Sequence, residues 1–218
     1  MVAKLFLGIS LIGAEWVLYL LLLLSILSVA LMFERVGFYR QASKGLKEFR
    51  ERVRKAAGSG KWDEVLDVAN TRVRNQFGGM PDLEAALTQA LLTHSKDSKN
   101  VSPEVLSQVA QDVVVRARLQ WERNLAILAT IGNNAPFIGL FGTVLGIIKA
   151  FHDLSQQMGN SAPQAVTAGI SEALIATAVG ILVAIPAAAA FNLFQRKVKS
   201  AVAEAEALKS FLIGKLVP

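Results

Sequence analysis

Three stretches of this chain, residues 16–33, 125–148 and 173–195, contain no Asp, Glu, His, Lys or Arg. At about 1.5 Å of rise per residue, even the shortest covers about 27 Å as a helix, close to the thickness of a bilayer's hydrocarbon core. The longer two can cross with some tilt. All of the charge lies between and beyond these runs, so the 53% hydrophobic content is clustered rather than spread. The pattern predicts an all-α integral membrane protein with three transmembrane helices. The first run is longer than the apolar core of a signal peptide and only Lys4 precedes it. It therefore reads as an anchor, although Ser28-Val29-Ala30 resembles a cleavage site.

Charge sets the expected orientation. Sixteen Lys and Arg residues fall in 34–124 and five in 195–218, with none in 152–171. The positive-inside rule then makes 34–124 a cytoplasmic helical domain that extends the spans, and makes the C-terminal segment cytoplasmic too. The expected layout is an outward-facing N-terminus at 1–15, spans at 16–33, 125–151 and 172–195, an outward connection at 152–171, and a cytoplasmic C-terminal helix at 196–218. Twelve acids accompany the sixteen bases of the middle segment, and aromatic residues are not interleaved with them, so the net +6 charge does not describe a nucleic-acid surface. The absence of cysteine excludes disulfides, thiolate metal sites and a cysteine nucleophile. His94 and His152 are expected on opposite sides of the membrane, where they cannot share a metal; no metal or other cofactor is expected.

Within the middle segment, 41–57 reads as a charged helix continuing the first span, broken by Gly58-Ser59-Gly60. Residues 61–74 and 81–94 each place apolar side chains at helical spacing, with a turn at Gly78-Gly79-Met80-Pro81 between them and a loop at 95–100 after them. Ser102-Pro103-Glu104 has the form of a helix start: a capping hydroxyl, proline at the first position and an acid in the first turn. No strong breaker follows before Gly132, so this helix is expected to run directly into the second span.

The last two spans have an unusual composition. Gly139, Gly142 and Gly146 in one, and Ala173, Ala176, Gly180, Ala184 and Ala187 or Ala188 in the other, recur at intervals of three or four. Small residues at that spacing allow backbones to approach closely. Pro136 and Pro186 each remove a backbone donor and are expected to bend their helices. Thr143 lies eight residues before Phe151 and Thr177 seven after Ile170, so in an antiparallel hairpin the two hydroxyls share a depth. Alone, each threonine could simply bond its own i−4 carbonyl. Glu172 sits at the mouth of the third span, where it is either a first-turn acid favoured by the helix dipole or a titratable group on a cation route. No carboxylate lies within any run. Hydroxyls can relay a proton but cannot store one near neutral pH, so a proton route here needs an acid from another chain.

Residues 128–147 (LATIGNNAPFIGLFGTVLGI) and 169–187 (GISEALIATAVGILVAIPA) resemble the MotA/TolQ/ExbB proton-channel family, most nearly its three-span ExbB and TolQ branch. The resemblance implies a homopentameric stator in the bacterial inner membrane around the single spans of two ExbD- or TolR-like partners. Aspartates of those partners would carry the protons, and TonB- or TolA-like or gliding-machinery proteins would be driven. It implies that Thr143, Thr177 and Glu172 line the route and that Pro136 and Pro186 are structural. The chain departs from the family pattern at Asn133-Asn134, where small or hydroxyl residues are usual, and at Leu145, where tryptophan is frequent. A non-conducting membrane scaffold is the competing reading. An intramembrane enzyme would need a nucleophile and base at one depth, and the spans offer no such pair.

Overall fold

The computed structural model describes residues 14–74, 82–97, 102–156 and 162–217. Seven helices are described: α1 Glu15–Ser43, α2 Leu46–Gly58, α3 Trp62–Arg74, α4 Leu83–Asp97, α5 Pro103–Trp121, α6 Leu125–Gln156 and α7 Ala162–Leu216. Among the described residues there is no strand. Stretches of α1, α6 and α7 are long and apolar enough to cross a membrane. The chain divides into two compact units, Met1–Glu34 with Asn124–Leu193, and Arg35–Arg123 with Phe194–Pro218. The turn expected at Gly78–Pro81 and the N-terminal residues 1–13 lie outside the described residues.

The second unit is a helical bundle. Phe49 and Val53 of α2, Val65 and Ala69 of α3, Leu87 and Leu91 of α4, Leu106 and Val114 of α5, and Leu208 and Leu212 of α7 form one buried core. α4 is held at its start by Asp82, whose Oδ1 accepts from the Ala85 amide at 3.1 Å while Oδ2 pairs with Arg72. The carboxylate thus satisfies one otherwise free N–H of the first turn and neutralises a cation at once. Asp82→Ala is expected to lower the stability of the purified chain by about 1–2 kcal/mol, read from thermal unfolding, with Asp82→Asn recovering the cap but not the ion pair. Ser102 caps α5 as its sequence suggests, accepting from the Val105 amide at 3.4 Å. Beside it the Glu104 carboxyl is held below its usual range by its own backbone amide and then by Ser102.

At the other end of α5, Tyr39 Oη donates to the Trp121 carbonyl at 2.7 Å. Arg35, itself buried, lies with its guanidinium 4.7 Å from the Phe38 ring centre. The Tyr39 phenol of α1 thus supplies a donor to a carbonyl at the helix end, and Arg35 Nη1 lies 3.5 Å from the Gln120 carbonyl, which also accepts from the Arg123 amide.

Helix boundaries differ from expectation at several places. The first span and the charged helix after it are separate, because Gly45 adopts φ 71°, a left-handed conformation that ends one helix and starts the next. The helix beginning at Pro103 does not run into the second span: it stops at Trp121, and Asn124, at φ 63°, turns the chain before α6 begins. Asparagine is among the few residues that enter that region at low cost, a weaker signal than glycine. α4 continues to Asp97, taking up part of the expected loop at 95–100. α6 continues to Gln156 and α7 starts at Ala162, so most of 152–171 is helical rather than a simple connection. α7 then runs unbroken for 55 residues, without a boundary between span and C-terminal helix.

Candidate functional site

The site lies in the first unit, along the seam between α6 and α7. Gly132, Gly139 and Gly146 recur every seven residues, which keeps them on one face of α6 with a drift of only about 20° per repeat. That face meets the backbone of α7. A β-carbon added at Gly139 would fall 2.6 Å from the Ala176 carbonyl oxygen and 3.1 Å from Thr177 Cα; one at Gly180 would fall 2.6 Å from the Ala135 carbonyl oxygen. Added at Gly146 it would lie 2.6 Å from Ala173 Cβ, and at Gly132 2.9 Å from the Ala188 nitrogen. Only hydrogen fits at these positions. In a bilayer there is no hydrophobic gain from pressing two apolar helices together, so such contact must come from close van der Waals packing.

α1 closes one side of this hairpin. Gly142 meets Val17 Cγ1 as well as Ala176, at 3.0 and 2.9 Å from an added β-carbon. Val17 and Leu21 pack with Ile131, Ala135, Leu145, Val183, Ala184 and Ala187 in a single buried cluster. Trp16 makes an edge contact with Phe141 at 6.1 Å between ring centres. Pro136 and Pro186 both lie inside their helices without interrupting them.

This packing brings the two threonines together. Thr143 Oγ1 is hydrogen-bonded to Thr177 Oγ1, and it also lies 3.2 Å from the carbonyl oxygens of Gly139 and Ala173. Each hydroxyl has one hydrogen, and the carbonyls can only accept. The arrangement that satisfies the most acceptors has Thr143 donating to the two carbonyls and Thr177 donating to Thr143. Gly139 is the i−4 residue of Thr143, so the local bond expected of a lone threonine forms alongside the contact between helices. Ala173 is the i−4 residue of Thr177, and its carbonyl is taken by Thr143 instead. Thr177 is thereby released from its own helix. It stays half-buried, with lone pairs available to a donor, while Thr143 is buried.

Glu172 is not part of this pair. It is exposed, five residues before Thr177, and five residues turn a helix by about 140°. Among the described residues it forms no hydrogen bond or ion pair. The seam also joins Gly132 to Ala188, and Gly169 to Ala150, the latter 2.8 Å from an added β-carbon and not foreshadowed in the sequence. The seven-residue glycine repeat was the available signal. It marks the α7-facing row better than the Gly142-x-x-x-Gly146 pattern, whose first glycine sits at a junction of three helices.

Residues 80–207, which include all of α6 and the hydroxyl pair, match the MotA/TolQ/ExbB proton channel family. The chain belongs to this family. It is similar to the Tol-Pal system protein TolQ of Pseudomonas aeruginosa, 33% identical over 196 residues that cover 85% of this chain and 80% of the relative. A TolQ from Haemophilus influenzae is 31% identical over 204 residues, covering 90% and 85% of the two chains. The biopolymer transport protein ExbB of Salmonella typhimurium is 34% identical over 182 residues, covering 83% and 72%. Chemically, each hydroxyl of the pair offers one donor and two acceptor lone pairs and carries no charge.

Proposed function

We propose that this chain is the stator subunit of an inner-membrane motor driven by the proton-motive force. It assembles as a homopentameric ring around the single spans of two ExbD- or TolR-like partners, with its N-terminus periplasmic and its C-terminus cytoplasmic. Inward proton flow moves the partner spans within the ring and energises a Tol-Pal or TonB-dependent envelope process. The observation that carries this reading is the Thr143–Thr177 hydroxyl pair, held between close-packed helices whose runs 125–148 and 173–195 hold no charged residue. Such a wall can pass a proton but not hold one, so the storing group is an aspartate brought by the partner. Thr177, with its open lone pairs, accepts from that acid in its protonated form. Glu172 stands at the outer mouth, where its charge favours entry of a cation.

The test is proton flux into liposomes containing the purified complex. The native complex is expected to conduct, Thr143→Ala with Thr177→Ala to lose about tenfold or more of that flux, and the paired Thr→Ser variant to retain most of it. An intact complex that never conducts, or flux that ignores the double alanine change, would replace the motor with the scaffold reading.

A further inference from the structure

The hydroxyl pair serves only one half of the span. Ten residues toward the Leu125 end, about 15 Å along the helix, Asn133 brings a primary amide into the charge-free run of α6. A hydrogen bond reaches about 2.8 Å, so Thr143 cannot hand a proton to that level directly. Asn133 is exposed, and among the described residues its amide makes no hydrogen bond. A primary amide left unpaired in hydrocarbon costs about 4–8 kcal/mol, so this flank of α6 faces something polar.

Three further features share the flank. Pro136 has no N–H, so the carbonyl of Gly132, next to Asn133, loses its regular donor. Thr143, Pro136 and Ala129 form one seven-residue row on α6, and Ile147, Leu140 and Asn133 form the row beside it, away from Val17 and α1. On α7, Ala188 lies eleven residues, about three turns, beyond Thr177 and meets Gly132; Asn192, exposed, lies one turn further. The adjacent Asn134 differs. It shares a row with Phe141, which touches Trp16 of α1, and its amide is bonded to the Thr130 carbonyl at 2.9 Å.

We infer that Asn133, the Gly132 carbonyl and Asn192 line a water-filled path that carries the proton from the threonine pair to the cytoplasm. This rests on the proton-route reading, and water is the occupant because the stations stand too far apart for direct transfer. Asn133 orients this water; it does not store the proton.

The chain has no cysteine, so single cysteines report cleanly. In native membranes containing the partner subunits, Asn133→Cys is expected to react with a water-soluble maleimide about tenfold faster or more than Leu182→Cys, because the reactive thiolate forms only where water reaches. Leu182 is an outward residue of α7, 70% exposed. Asn134→Cys, at the same depth on the other flank, is expected to be as slow as Leu182→Cys. Slow labelling of Asn133→Cys overturns the path. So does equal rapid labelling of Asn133→Cys and Asn134→Cys, or protection of the Asn133→Cys thiol by a disulfide to a second copy. Flux measured on the native complex separates the two ideas, since an unreactive Asn133→Cys variant beside a conducting native complex removes only the path.

Discussion

Gly139→Val is expected to abolish proton-driven work and to destabilise the membrane unit at the same time. The first added carbon alone would lie 2.6 Å from the Ala176 carbonyl oxygen, 3.1 Å from Thr177 Cα and 3.2 Å from Gly180 Cα. All three are backbone atoms, so no rotamer change relieves the clash and α6 and α7 must separate. Overpacking of this kind costs about 1–3 kcal/mol, with the two γ-methyls of valine adding to it. Separation acts directly on the hydroxyl pair, because Gly139 lies one turn from Thr143 and supplies a carbonyl to it at 3.2 Å. The expected result is a lower unfolding temperature for the purified protein and flux at the level of the double threonine variant. Gly139→Ala should show the same effects in smaller measure. Native flux in Gly139→Val would mean that the seam does not set the geometry of the pair.

Arg50→Ala is expected to give the largest loss of stability in the second unit, about 3–5 kcal/mol, the range for stranding one partner of a buried ion pair. Arg50 holds Glu84 through two donors, Nε to Oε2 at 2.7 Å and Nη2 to Oε1 at 2.6 Å. Its Nη1 also reaches Glu204 Oε2 of α7 at 3.2 Å. Glu84 is only 2% exposed, so without Arg50 its carboxylate stays desolvated and uncompensated. The pairing raises the Arg50 pKa above its already high ordinary value, chiefly through the bonds to Glu84, with burial opposing and Glu204 adding a smaller share. A group raised in the folded state is fully stabilising below its unfolded value and loses that contribution only above it; for arginine that lies beyond any pH at which the chain would be handled. Arg50→Lys should recover only part of the loss, since an ammonium cannot make the two-pronged contact. Replacing both residues, Arg50→Met with Glu84→Leu, should recover more than either single change, because no buried charge is then left alone. Thermal unfolding of the full chain in detergent checks all three, and a loss under about 1 kcal/mol for Arg50→Ala would show that water reaches Glu84.

Much of the site was legible because helices convert sequence spacing into position. Rise per residue is nearly constant, so counting from Phe151 and from Ile170 placed Thr143 and Thr177 at one depth, and in the structure they are hydrogen-bonded. Small residues at intervals of three and four announced close packing in the same way. What was not legible depends on rotation. One residue turns a helix by about 100°, so Asn133 and Asn134, adjacent in sequence, belong to different flanks. Nothing in either residue says which flank α1 will cover. Glu172, which the family resemblance groups with the threonines, lies five residues before Thr177 and so about 140° around α7 from it.

The helix boundaries divide along the same line. Ser102 and Pro103 announced the start of α5 because capping is a local matter of one hydroxyl and one missing N–H. The end of α5 carried no such mark, since the left-handed turn at Asn124 is made by a residue that more often stays in ordinary conformations. Sequence by itself determined three apolar spans, the level of the hydroxyls and the lack of any carboxylate within those runs, because hydrophobic length, helical rise and side-chain chemistry are local properties. Only the tertiary structure decided that the Ala173 carbonyl would take Thr143 rather than Thr177, that Gly142 would meet Val17, and that Arg50 would join Glu84 to Glu204. Each of those contacts joins residues 30 or more positions apart in the chain, and they form only when helices pack at a particular rotation, which no single helix can specify.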